Sequence, residues 1–208
     1  MKHEWRKQEK NLYISKQKAE LIEVPSQKFF AIKGKGNPSG EEFTKKIEVL
    51  YMLSYAVRMM HKTNFIPEGY FEYTVYPLEG VWDLSKKGRE LETLDKNELI
   101  YTIMIRQPEF VTQDVVDRAF DIARSKKKGN IYLEDAQFIE MKDGLSVQMM
   151  HIGSYDNEAE TFAKMKEYIN ENNLEIKTLV HREIYLSDVR RVEEGRLKTV
   201  LRYRVNRK

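Results

Sequence analysis

The feature that most restricts how this chain can fold is an order of patterns that occurs twice: strand, glycine, amphipathic helix, then two strands. Phe29-Phe30-Ala31-Ile32-Lys33 reads as a short strand, closed by Gly34-Lys35-Gly36-Asn37-Pro38. Ser39 is then placed to cap a helix with Glu41 and Glu42 in its first turn, and Phe43, Ile47, Leu50, Ser54 and Val57 share one face of it. Aromatic and β-branched residues make Tyr70–Tyr76 a strand, with Pro77–Gly80 as its end, and Leu99–Ile105 is the next. After a connecting helix capped by Thr112, the pattern restarts: strand Leu145–Ile152, the turn Gly153-Ser154-Tyr155-Asp156, a helix through Phe162 and Ile169, then strands Lys177–Leu186 and Lys198–Val205. Gly34 precedes Phe43 by nine residues, as Gly153 precedes Phe162. The expected class is α+β: tandem, pseudo-symmetric β-α-β-β modules with an antiparallel sheet enclosing a central cleft. The expected organisation is an N-terminal arm over residues 1–20 and a single domain over 21–208. Within that domain the first module spans about 28–106, the connecting helix about 112–126 and the second module about 145–206.

Composition narrows the functional classes. Across 208 residues, 36 Lys and Arg face 33 Asp and Glu, a net charge of +3. The one basic run, Lys126-Lys127-Lys128, meets Gly129 at once and reads as a solvated helix end and loop, so nucleic acid is not an expected partner. No apolar stretch approaches the roughly 18 residues of a membrane span, and the first residues have no signal-peptide core. The absence of cysteine removes disulfides and thiol chemistry. A cytoplasmic protein without membrane association is the expectation. His3, His61, His151 and His181 have no paired metal spacing, and Gly34-Lys35-Gly36 lacks the rest of a nucleotide fingerprint, so neither a metal nor a cofactor is expected.

One segment carries chemistry: His181-Arg182-Glu183-Ile184-Tyr185-Leu186. Simple alternation puts Ile184 and Leu186 on the face under the helices, and Glu183 with Tyr185 on the other, lining the cleft. A carboxylate among aromatic side chains is a base or a counter-ion for a cation, and a nearby phenol can donate a hydrogen bond. The aromatic candidates for the lining include Tyr73, Tyr76, Trp82, Tyr101 and Tyr155. Taken alone, the same alternation also describes an ordinary solvated sheet face, and most strand tyrosines are core.

The phrase Glu183-Ile184-Tyr185-Leu186-Ser187-Asp188 and the turn His151-Ile152-Gly153-Ser154-Tyr155-Asp156 resemble the GyrI-like small-molecule-binding family, as does the doubled β-α-β-β order. Its stand-alone bacterial members are more similar still, through the stretches Tyr73–Trp82, Ile103–Pro108 and Leu197–Arg202. The resemblance runs from about residue 20 to the end and departs at Ser154, where the family more often has proline. It implies paired SHS2-type modules around an aromatic pocket with one acidic residue, here Glu183. Some stand-alone members are cyclopropanoid hydrolases that detoxify alkylating natural products. By that resemblance Glu183 would be the general base and Tyr185 a catalytic donor, with Trp82, Tyr155, Tyr76, Tyr101 and Tyr73 binding a hydrophobic aromatic ligand. The alternative is a non-catalytic binder that sequesters hydrophobic or cationic drugs. A gyrase interaction rests on the family name alone.

Overall fold

The computed structural model describes residues 2–126 and 130–208. Lys127 and Lys128 of the basic run therefore lie outside the described residues. The elements are α1 (Trp5–Gln8), α2 (Lys10–Tyr13), β1 (Glu20–Lys35), α3 (Glu41–Met59), β2 (Leu78–Leu84), α4 (Lys86–Arg89) and β3 (Leu99–Gln107). They continue with α5 (Gln113–Ser125), β4 (Gln137–Ile152), α6 (Glu158–Glu171), β5 (Leu174–Tyr185) and β6 (Lys198–Arg207). The chain is mixed α+β; the second half runs β4-α6-β5-β6, and in the first half the short α4 lies between β2 and β3. Hydrogen bonding links the strands in the order β1-β3-β2-β5-β6-β4, a closed antiparallel barrel. Packing groups the chain into two compact units: Met1–Glu4 with Gln27–Leu78 and Leu84–Met141, and Trp5–Ser26 with Glu79–Asp83 and Lys142–Lys208. Among the described residues no helix is long and apolar enough to cross a membrane.

In the first unit β1 pairs antiparallel with β3, Phe30 opposite Ile105 and Ile32 opposite Ile103. The helix α3 buries Val49, Leu50, Leu53 and Val57. Gly40, not Ser39, occupies its N-cap position, without a side-chain cap; the Ser39 amide instead donates to Asn37 Oδ1 (2.9 Å). Tyr70–Tyr76 is not a strand. Only Tyr73 makes a bridge, to His3, because the segment spends its rings on a local cluster in which Phe71, Tyr73 and Tyr76 pack with Phe110. Pro77 has no amide hydrogen to contribute to a ladder, and the strand β2 begins one residue later, where a turn was expected.

The second unit contains α1, α2, α6 and the ladders β4–β6 and β5–β6. Trp5, Leu12 and Tyr13 of the two short helices are buried. Its core joins Val147 and Met149 of β4 and Leu201, Tyr203 and Val205 of β6 to Met165 and Ile169 of α6, with Leu174 and Ala19. Register in β5 is decisive. Ile176 pairs with Val205, yet His181 pairs with Tyr203, so the segment between them is bulged. Five residues along β5 answer two along β6, and this odd surplus reverses the alternation. Glu183 then stands opposite Leu201 and Tyr185 opposite Thr199, on the α6 face, while Arg182 and Ile184 take the other. The expectation that Ile184 would pack under the helices is overturned by that bulge.

The opposite face holds a buried charge cluster. Arg182 stands directly across the ladder from Arg202, an unfavourable pairing unless neutralised. Arg182 donates to Glu79 Oε2 (3.0 Å) and to Asp143 Oδ1 (3.0 Å). Arg202 lies 3.6 Å from Asp143 Oδ2 and donates to Gln148 Oε1 and the Leu12 carbonyl (both 2.8 Å). Gln148 in turn donates to the Asn11 carbonyl (2.8 Å) and Glu20 (2.9 Å), so this network also anchors the N-terminal segment. Removing one partner strands a buried charge. Arg182→Ala should therefore destabilise the protein by about 3–5 kcal/mol, read as a lowered urea midpoint; a change below about 1 kcal/mol would contradict this account.

Candidate functional site

On the α6 face of the second unit, β2 and β5 place Gly80 opposite Glu183 and Trp82 opposite His181. Paired residues of an antiparallel ladder share a face, so Trp82, His181, Glu183 and Tyr185 all project together. Gly80 is required there. A Cβ at this position would lie 2.5 Å from Trp82 Nε1, so only glycine lets the indole fold back over the strand. The Trp82 indole N–H donates to Tyr185 Oη (2.8 Å), and Tyr185 donates its own proton to Glu183 Oε2 (2.6 Å). On the other carboxylate oxygen, His181 Nε2 lies 2.9 Å from Glu183 Oε1. The His181 ring is wedged against Phe162 (centroids 4.8 Å) and Tyr203 (6.1 Å). The carboxylate of Glu183 is thus buried and oriented on both oxygens.

The turn entering α6 closes the other side. Tyr155 meets the Tyr185 ring edge-on at 5.8 Å and is 38% exposed, which makes it the open wall of the site. Ser154 occupies the N-cap position of a single 3-10 turn, its hydroxyl accepting from the Asp156 amide. His151 holds this turn from below, through the Ser154 carbonyl (2.9 Å) and Thr161 Oγ1 (2.8 Å). Glu158, the first residue of α6, points inward and is only 8% exposed. Burial, and then the charge of Glu183 with which it shares a hydrogen bond, push its carboxyl up to about 9. Burial and the same acidic neighbours push the Tyr155 phenol up to about 12 and raise Tyr185 well above the ordinary phenol range. All three groups are protonated at neutral pH, ranged around the Glu183 carboxylate.

Of the residues expected from the sequence, Glu183, Tyr185, Trp82 and Tyr155 come together here. Tyr73, Tyr76 and Tyr101 belong to the first unit. There Tyr73 and Tyr76 are buried in the aromatic cluster, Arg106 lying 4.7 Å from the Tyr76 ring centre. Tyr101 packs edge-on against Phe43 (5.1 Å) and covers Gly34, where a Cβ would lie 2.3 Å from its ring. Glu158 and the role of His181 beside Glu183 were not legible beforehand: an acid in the first turn of a helix normally reads as a solvated partner of the helix dipole. Among the described residues no group of three or more His, Asp or Glu is placed to hold a metal ion.

A family model described as the GyrI-like small molecule binding domain matches residues 17–205. Two crystal structures of a hydrolase from Listeria innocua are similar to this chain at 34% identity, with TM-scores of 0.88 and 0.90. In both, the match covers 99% of this chain and 100% of the other. A conserved protein of the same organism, described as uncharacterized, matches at 35% identity over the same shares, with a TM-score of 0.90. At 14% identity the C-terminal domain of EcmrR shares the fold (TM-score 0.50; 92% of this chain, 98% of that domain). No curated protein matches the chain.

The geometry makes two solution measurements informative. Gly80→Ala should displace the indole and break the Trp82–Tyr185 hydrogen bond; the Trp82 Nε1–H proton resonance should move upfield, and an unchanged resonance would disprove the close packing. Stability should also depend on Glu158. Its folded-state pKa exceeds the unfolded value of 4.5, so its contribution is complete below about pH 4.5 and is lost as pH rises toward about 9. The slope approaches about 1.4 kcal/mol per pH unit for one proton. Glu158→Gln, compared with wild type by urea denaturation from pH 5 to 9, should remove that decline; parallel curves would refute the shift.

Proposed function

The chain belongs to the GyrI-like small molecule binding domain family, and from that premise we propose that it is a hydrolase opening cyclopropane-containing electrophilic toxins, with Glu183 as general base. The observation that carries this reading is the Glu183 carboxylate itself: buried, held by Tyr185 and His181, and flanked by aromatic side chains. The similarity to a Listeria innocua hydrolase at 34% identity supports hydrolysis as the class. In the same reading the doubled β-α-β-β order represents the paired modules of the family.

The substrate is planar and aromatic, an electrophilic cyclopropane fused to a conjugated cyclohexadienone. Its flat face lies against Trp82. Glu183 removes a proton from water as the water oxygen bonds to the cyclopropane carbon. The strained C–C bond breaks, and its electron pair passes through the conjugated ring to the carbonyl oxygen, which becomes a phenolate. Tyr155 is the donor to that oxygen, its phenol being half-exposed and fully protonated at neutral pH. Tyr185 keeps Glu183 aimed, with Trp82 fixing the Tyr185 hydroxyl in turn.

The test is an absorbance assay with a cyclopropane-fused cyclohexadienone, since ring opening restores a phenol chromophore. Wild type should show multiple turnovers, and Glu183→Gln should lose at least about 100-fold in kcat while still binding a neutral planar ligand. An unchanged rate in Glu183→Gln would remove Glu183 as the base. The family's description as a binding domain favours a second reading, a sequestering protein. Tight binding without turnover by wild type would establish that reading instead.

A further inference from the structure

A buried acid with no cation beside it has to be explained, and Glu158 is one. Its side chain lies at the start of α6, where an ionised carboxylate would ordinarily turn outward to the helix dipole and solvent; instead the residue is 8% exposed. Its Oε1 is buried and has no hydrogen-bond partner among the described residues. No Lys or Arg pairs with it among the described ion pairs. Phe162, one turn further along the same face of α6, packs on His181 (4.8 Å), and Glu183 is the next residue on that face of β5, so Glu158 is directed at the Glu183 carboxyl, whose charge acts on it. A buried carboxylate in that position would face a second negative charge with one oxygen unsatisfied, an arrangement far too costly to persist. A carboxylic acid meets none of those objections: its O–H donates to Glu183, and only a neutral carbonyl oxygen is left without a donor.

We infer that Glu158 is a further positioning residue of the site, beside Tyr185 and His181: an acid that shares one proton with Glu183 and helps to orient the Glu183 carboxylate toward the attacking water. This rests on the hydrolase reading, in which Glu183 is the base. With no proton on the pair, two charges repel and the hydrogen bond that aims Glu183 is lost. With two protons, Glu183 cannot accept a third. Only the singly protonated pair is productive. During ring opening the pair gains the proton taken from water, and it returns to one proton when that extra proton leaves for the product phenolate. Other titratable groups surround the pair: Tyr185 and His181 from β5, Tyr155 and Asp156 from the turn, His151 from β4 behind Thr161, and Tyr203 from β6 against Phe162. Tyr155 and Tyr185 remain protonated through the range concerned, since both are raised.

The pH–rate profile of kcat tests this directly. In wild type kcat should fall at high pH along an alkaline limb set by Glu158 near pH 9. Glu158→Ala should lower kcat on the order of 100-fold with KM changed less than about threefold. Glu158→Gln keeps a neutral hydrogen-bond donor, so it should recover about a tenth of the wild-type kcat or more and lack the alkaline limb. A purely structural role would not move that limb. An alkaline limb unchanged in Glu158→Gln, or a Glu158→Ala enzyme as fast as wild type, would overturn the inference. Side-chain carboxyl carbon NMR separates it from the hydrolase reading. In wild type one carboxyl should titrate far above the ordinary range, falling back in Glu183→Gln, whether or not any substrate is turned over. If every carboxyl titrates below about pH 6, the shared proton is absent and the inference fails; if the substrate alone is untouched, only the hydrolase reading does.

Discussion

Arg182 cannot be buried without Glu79 and Asp143, and this requirement settles the organisation of the second unit. Its guanidinium stands across from that of Arg202 in the β5–β6 ladder. Two cations facing each other in an apolar interior are tolerable only with acids on both flanks, and both acids are themselves almost wholly enclosed. Once Arg182 is committed to that face, alternation commits His181, Glu183 and Tyr185 to the other. The face that carries the candidate chemistry is thus held in place by ion pairs on its reverse side. A slip of one residue would exchange the two faces, setting Arg182 against α6 and Glu183 among the buried charges.

The α6 face obeys a different logic, one of neutral donors. Trp82, Tyr185 and the Glu158 acid all direct hydrogen toward a single carboxylate or toward a group that does so. No arginine or lysine is recruited among these contacts, so the Glu183 charge is solvated by dipoles and not cancelled. A carboxylate treated in this way is held in one orientation. The packing around it is equally particular. Gly80 admits the indole, Phe162 and Tyr203 clamp the imidazole, and His151 supports the turn that presents Tyr155. Rigid elements therefore hold most of the site, while Tyr155, on the entering turn, is the most exposed of these groups.

Much of this was legible from residue order alone. The doubled β-α-β-β sequence, the cysteine-free composition and the pairing of Glu183 with Tyr185 follow from local pattern, because period and composition are properties of short segments. The Tyr70–Tyr76 stretch misleads for the same reason: its residues suit a strand, but the aromatic cluster outcompetes the ladder for them. The sequence by itself determined that an acid and a phenol would project together from one late strand. Only the tertiary structure decided which face they share, because the bulge before His181 reverses alternation by an amount no local pattern records. It alone also brought Glu158 against Glu183. The two acids are 25 residues apart in sequence, and the cost of burying a second carboxyl is incurred only where α6 packs on the sheet.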